Sequence, residues 1–275
     1  MICAWQELLG VLPPWLRPEV DKFGKTEAQE IRLRLGHVTE IVAWPESIWL
    51  KGLIRKEDLT FCMNAASRYS PWSAQTSGQG YLTAPGGHRI GICGEAVMKD
   101  GRMDTVRRIT SLCIRVARDF PDIGEEASFL PGSILIIGPP GCGKTTLLRD
   151  LVRCLSTRQF VSVVDERGEL FPELFIRGTR LDVLQGCPKQ TGIEIVLRTM
   201  GPDCIAVDEI TEQADCDALL RAGWCGVRLI ATAHAGSLRD LMMRPLYQPL
   251  LRSGIFDHIL VMSRDKSWKE ECLPC

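Results

Sequence analysis

The sequence lacks an excess of charge of either sign. Lys and Arg number 33 and Asp and Glu 34, a net charge of −1. Without a basic excess the chain has no general hold on nucleic acid or anionic lipid, although a local basic patch is compatible with that balance. Long apolar runs are missing too. No uninterrupted stretch approaches the roughly 20 residues of a membrane helix, and the clean run Ile134–Ile137 has the length of a strand. Met1 to Glu7 has no basic region and meets an acid early, so no secretory leader is expected there. Internal repeats and low-complexity tracts are absent, which excludes repeat architectures. Cysteine is plentiful, at 12, but lacks zinc-type spacing. Cys272 and Cys275 form the one close pair and read as a frayed tail. The remaining thiols are expected reduced, in a cytoplasmic protein, several as small core residues.

What is present is an ordinary globular composition, 45% hydrophobic and 24% charged with a mean hydropathy of +0.01. At about 150 residues per domain, 275 residues suggest two domains. Pro, Gly and acids cluster over Phe120–Glu126, which places a boundary near residue 125 and two domains at 1–125 and 126–275.

The second half alternates strand and helix signals. Ser133–Ile137, Phe160–Val164, Cys204–Val207, Arg228–Thr232 and His258–Met262 read as strands. Thr145–Leu155 and Ile193–Met200 read as helices, and a third follows Thr211 as N-cap and stops at Gly223. Such alternation implies a parallel α/β sheet covered on both faces. The first half reads as α+β. Trp5–Leu12 and Leu59–Ser67 suggest helices. Glu27–Leu35 and Arg108–Val116 suggest strands, and Gly86-Gly87 turns a hairpin from Tyr81–Thr83 into His88–Ile92.

The chemistry gathers at strand ends. Gly138-Pro139-Pro140-Gly141-Cys142-Gly143-Lys144-Thr145, with Thr146 next, fits the phosphate-binding pattern G-x-x-x-x-G-K-[ST] between a strand and a helix. Glycines let backbone amides wrap phosphates, Lys144 reaches the β- and γ-phosphates, and Thr145 holds Mg²⁺. Cys204–Val207 runs into Asp208-Glu209, where Asp208 would bind the Mg²⁺ through water and Glu209 would polarise the attacking water. Asp165–Glu169 and Thr232–His234 end two further strands at the same crevice. On spacing alone, His234 reads equally well as a site residue and as a satisfied core histidine. Arg89, Arg107, Arg108, Arg115 and Arg118 lie late in the first half. A γ-phosphate in transit needs an added cation, and spacing does not choose among them.

These residues resemble the family of stage III sporulation protein AA, ATPases of spore-forming bacteria. More broadly they are similar to the hexameric ATPases of type II and type IV secretion and pilus systems. The resemblance is carried by Glu30–Gly36, Gly80–Thr83, Gly86–Gly94, Ile109–Ala117, the phosphate loop and Val163–Glu169. It implies a RecA-like P-loop ATPase domain with a parallel sheet, preceded by a smaller α+β domain. Asp165–Glu169 resembles the "Asp box" of secretion ATPases, with Glu169 as its last acid. Leu197–Glu209 resembles their Walker B region and Thr232–Ser237 their "His box", which favours His234 as a site residue. In that superfamily arginines of an N-terminal domain approach the γ-phosphate, and Arg89, Arg107 or Arg108, and Arg115 match them. Asp208 stands where those enzymes usually have Gly. The segment after Ser263 matches no part of the pattern. The implied role is to energise a secretion-like channel as a homo-oligomer, on the mother-cell side, with membrane-embedded partners.

Two other readings compete. A nucleic-acid-dependent P-loop ATPase is disfavoured by the neutral balance. A nucleotide-gated scaffold with little turnover could dock through Trp44, Trp49 and Trp72, although large aromatics are ordinarily buried.

Overall fold

The computed structural model describes residues 1–43, 46–68, 80–171, 175 and 178–272, with the backbone alone at residue 102. Trp44, Trp72 and Cys275 lie outside the described residues. The chain divides into two units, Met1–Asp119 and Phe120–Cys275.

The first unit opens with helices α1 (Trp5–Val11), α2 (Arg17–Asp21) and α3 (Gly24–Glu27). Strands β1 (Glu30–Arg34), β2 (Val38–Val42) and β3 (Ile48–Leu53) follow, then α4 (Lys56–Ala66), then β4 (Tyr81–Thr83), β5 (Arg89–Lys99) and β6 (Arg102–Arg115). Among the described residues they form a six-stranded antiparallel sheet in the order β3-β2-β1-β6-β5-β4. Alternation decides its faces. Ile31 and Leu33 of β1 turn inward to Leu8, Leu12, Leu59 and Cys62, while Glu30, Arg32 and Arg34 face outward. The hairpin from β4 to β5 turns through Pro85–Gly87. The strand expected from Arg108 begins earlier, at Arg102, because β6 continues beyond the core as a ribbon with β5. Trp49 is 58% exposed on the edge strand β3, against the ordinary expectation of burial.

The second unit contains α5 (Glu125–Ser128), β7 (Ile134–Gly138), α6 (Lys144–Leu155), β8 (Val161–Asp165), β9 (Leu181–Gln185) and α7 (Lys189–Thr199). It continues with β10 (Cys204–Val207), α8 (Gln213–Trp224), β11 (Arg228–His234), α9 (Leu238–Met243), α10 (Gln248–Ser253), β12 (His258–Met262) and β13 (Trp268–Glu271). Its sheet runs β13-β12-β7-β11-β10-β8-β9, parallel apart from the antiparallel edge strand β13. Every residue of β7, β8 and β10 is buried. Ile134 and Ile136 pack with Leu147, Leu148 and Leu151 of α6, and Leu135 and Ile137 pack with Ile193, Val196 and Leu219 of α7 and α8. Strand β7, helix-covered on both faces, thus has one continuous apolar sequence.

Local details shift three expectations. The α8 N-cap is Glu212, not Thr211, because Glu212 and Asp215 bond each other's backbone amides in a reciprocal cap. Gly223 lies inside α8, where a Cβ would meet Ile255 at 3.1 Å, so close packing rather than chain termination needs it. The division between units falls after Asp119. Asp119 pairs with Ile2, whereas the Gly124 amide donates to Asp150 of α6 at 2.7 Å and so ties 120–124 to the second unit.

Cys62, Cys142, Cys154, Cys204 and Cys216 are buried, and burial pushes the Cys62, Cys204 and Cys216 thiols up to about 12. Among the described residues no helix is long and apolar enough to cross a membrane.

Candidate nucleotide site

Strand β7 delivers Gly138 into the glycine-rich loop, which returns to α6 through Gly143 at φ +103°. L side chains rarely adopt that conformation. No side chain caps α6, so the amides of its first turn have no capping acceptor. The apolar stripe of α6 fixes that turn against the sheet.

Lys144 folds back on the loop. Its Nζ donates to the carbonyls of Gly138 at 2.9 Å and Pro139 at 3.1 Å, and lies 3.0 Å from Nδ1 of His234. An ammonium cannot accept, so Nδ1 accepts and the ring proton sits on Nε2. That nitrogen is 3.1 Å from Oε1 of Glu209. The other Glu209 oxygen, Oε2, accepts from Nη1 of Arg167 at 3.1 Å. A continuous chain therefore runs Arg167–Glu209–His234–Lys144 across strand ends β8, β10 and β11 and the loop after β7. Burial pushes the Lys144 ammonium below its ordinary range, against the neighbouring Asp208 and Glu209.

A second chain lies beneath. Thr145 Oγ1 donates to Oδ2 of Asp208 at 2.8 Å, and Thr232 Oγ1 donates to Oδ1 at 2.6 Å. The Thr232 hydroxyl also accepts the Glu209 amide at 2.7 Å, which secures Glu209 at φ +54°. A side chain held in that region signals a constrained position. Burial raises the Asp208 carboxyl, and the two hydroxyls oppose the rise. A hydroxyl and a carboxylate in contact are hard oxygen donors of the kind Mg²⁺ takes from a protein, the rest coming from water and phosphate. Thr145 and Asp208 fit that ion.

The expected residues separate in the structure. Glu209, Lys144, Thr145, Asp208 and His234 come together. Glu169 is fixed by its main chain in the turn after β8: its amide donates to Asp165 Oδ1 at 3.0 Å and its carbonyl accepts from Arg149 at 2.9 Å. Asp165 also takes the Leu170 amide and Gln185, so its buried carboxylate builds the turn. In the first unit Arg89 stacks over Tyr81 at 3.9 Å. Arg108 pairs with Glu95 at 3.0 Å and Arg115 with Glu30 at 3.5 Å, both arginines largely exposed. Arg118 is spent on the carbonyls of Lys25 and Ala28. Arg167 and Thr232 lie in the two strand-end segments expected at the crevice, although neither was singled out within its segment. Thr232 was findable by period two, since it shares a strand face with His234. No sequence signal singles out Arg167 within its segment.

A glycine loop after β7, an Asp-Glu end on β10 and the intervening β11 ending in Thr and His define a P-loop unit of the RecA-like class. Solved structures share the fold. The ATPase DotB of Legionella pneumophila has a TM-score of 0.61 at 16% identity, over 89% of this chain and 74% of that one. The pilus retraction motor PilT, solved with ADP, has a TM-score of 0.58 at 15% identity, over 95% of this chain and 78% of that one. The chain belongs to the family "Sporulation stage III, protein AA", whose profile matches residues 15–270. Stage III sporulation protein AA of Bacillus subtilis (strain 168) is 36% identical over 283 residues, covering 94% of this chain and 91% of that protein.

Proposed function

We propose that the protein is a secretion-type ring ATPase that hydrolyses ATP with Mg²⁺ and energises a sporulation channel. The observation that carries this reading is the joining of Lys144, His234 and Glu209 above the Thr145–Asp208 contact. Residues Gly138–Thr146 wrap the phosphates with backbone amides, and Lys144 takes the β- and γ-phosphates. Thr145 and, through water, Asp208 would hold Mg²⁺, which would neutralise phosphate charge. Glu209 orients the water that attacks the γ-phosphorus and accepts its proton, and ADP leaves with the cleaved oxygen. His234, proton on Nε2, fixes the Glu209 carboxylate. Glu169 is the alternative base. Arg89, Arg108 and Arg115 are the candidates for the cation supplied by the first unit, and assembly, taken as hexameric from the family resemblance, completes the site. Membrane-embedded channel components are the partners this role requires, with the ATPase on the mother-cell side.

The test is Mg·ATP turnover per subunit against protein concentration, with Lys144→Ala as blank. Specific activity that climbs with concentration supports a site completed by assembly. A substantial but flat value turns the reading toward a self-contained ATPase. A rate equal to the blank throughout removes the hydrolytic reading for the protein alone and favours a nucleotide-gated scaffold.

A further inference from the structure

We infer that Arg167 is a γ-phosphate-responsive cation within the ATPase unit itself, which exchanges its partner Glu209 for the phosphate. The inference rests on the ATPase reading above. Arg167 stands just past the carboxyl end of β8, in the turn that Asp165 builds, and its side chain remains 51% exposed. Its guanidinium is engaged by Glu209 through Nη1. Glu209 in turn holds His234, and His234 holds Lys144.

The two ends of this chain are both cations, and both are occupied by protein acceptors. Lys144 sits on two carbonyls and an imidazole, and Arg167 on a carboxylate. A triphosphate brings stronger acceptors to both. The guanidinium fork matches phosphate oxygens bidentately, and the terminal phosphate of a triphosphate carries the most negative charge. When Arg167 turns to that phosphate, Glu209 loses its neutralising partner while keeping His234. The freed oxygen Oε2 is then available to accept from water. Glu209 thus becomes a base when the phosphate to be attacked is in place. Unlike Arg89, Arg108 and Arg115, Arg167 needs no closure of the first unit to act.

Equilibrium binding separates this from a merely structural role. The probes are ADP and the ATP analogue with an imido bridge between its β- and γ-phosphorus atoms, each with Mg²⁺, on the full-length chain. R167A is expected to lose about tenfold in affinity for the triphosphate analogue, the value of one charge-assisted hydrogen bond, while its ADP affinity shifts by less than about twofold. R167K recovers part of the loss, because a cation is restored without the fork. E209Q, which removes the charge that retains Arg167, binds the triphosphate analogue more tightly than the wild type. An equal loss for both nucleotides in R167A overturns the inference, as does an unchanged triphosphate affinity. Failure of the wild type to bind either nucleotide overturns the ATPase reading and the inference together. Normal wild-type binding with no discrimination in R167A overturns the inference alone.

Discussion

The two units treat charge in opposite ways. In the first, alternation along β1 and β6 puts arginines on an outer face, where they pair locally with Glu30, Glu40 and Glu95. Arg108 and Glu95 are 81% and 62% exposed, and such pairs contribute roughly 0–1 kcal/mol each. In the second, the strands are apolar and the polar groups collect at their carboxyl ends, where each holds the next. A charge on the first sheet is replaceable one residue at a time, whereas a charge at the second sheet's edge carries its neighbours with it. The largest effects of substitution therefore belong at the ends of β8, β10 and β11.

The sharpest test of this contrast sets Glu209→Gln beside Glu169→Gln. Glu209 touches His234 and Arg167, whereas the main chain of Glu169 serves the Asp165 turn. Loss of a positioned base costs about 10²–10⁴ in kcat, and Glu209→Gln is expected to fall in that range. Glu169→Gln keeps both main-chain bonds of the turn and is expected to cost about tenfold or less. Steady-state kinetics at saturating Mg·ATP ranks them, and the reverse order would move the base to Glu169.

The same contrast governs what was legible in the sequence. Strands β7, β8, β10, β11 and β12 were visible because helix-covered parallel strands are continuous apolar runs. Strand β9 was not, because Leu181–Gln185 lies at a sheet edge, has no buried residue and carries polar Asp182 and Gln185. Lys144, Thr145, Asp208 and Glu209 were expected from strand-end placement and motif, whereas His234 stood even on spacing and was favoured by the family resemblance. Arg167 and Thr232 lay in segments expected at the crevice, but their partners were hidden because they depend on which strands are neighbours. Order β7-β11-β10-β8 is what brings Thr232 to Asp208 and Arg167 to Glu209. The cap at Glu212 was missed for a smaller reason. Asp215 accepts from both the Thr211 amide and its hydroxyl, so Thr211 is itself held by the cap.

Backbone contact offers a second way to separate the units. A Cβ on Gly124 would lie 2.7 Å from Leu151 Cα and 2.8 Å from the Asp150 carbonyl carbon, inside helix α6. The backbone of a packed helix cannot yield as a side chain can. Gly124→Ala is expected to destabilise the second unit by about 3 kcal/mol, the upper range for overpacking, and to release the 120–124 segment from Asp150. Denaturant unfolding followed separately for each unit checks this. Equal losses in both units would mean that the segment is shared and that the division after Asp119 is not energetic.

The smallest expected effect lies in the first unit, at His88, its one fully buried histidine among the described residues. Its Nδ1 accepts the Ala117 amide at 3.0 Å, so Nε2 carries the proton and donates to the Ala4 carbonyl at 3.0 Å. The ring thereby joins the chain start to the segment leading out of the unit. Burial pushes its pKa below the ordinary 6.5, helped by Arg118 and opposed by the Ala4 bond and Glu7. The unfolded chain takes up the proton at the ordinary value and the folded chain only at lower pH. The unfolded state therefore binds more protons as pH falls through about 6.5, and stability is lost in that direction until the folded pKa is passed. His88→Gln lacks this uptake, so its stability is expected to fall less steeply between about pH 7.5 and 5.5 than that of the wild type. Parallel slopes would mean that His88 can leave its two backbone partners and take a proton without cost, and that its burial is not held by them.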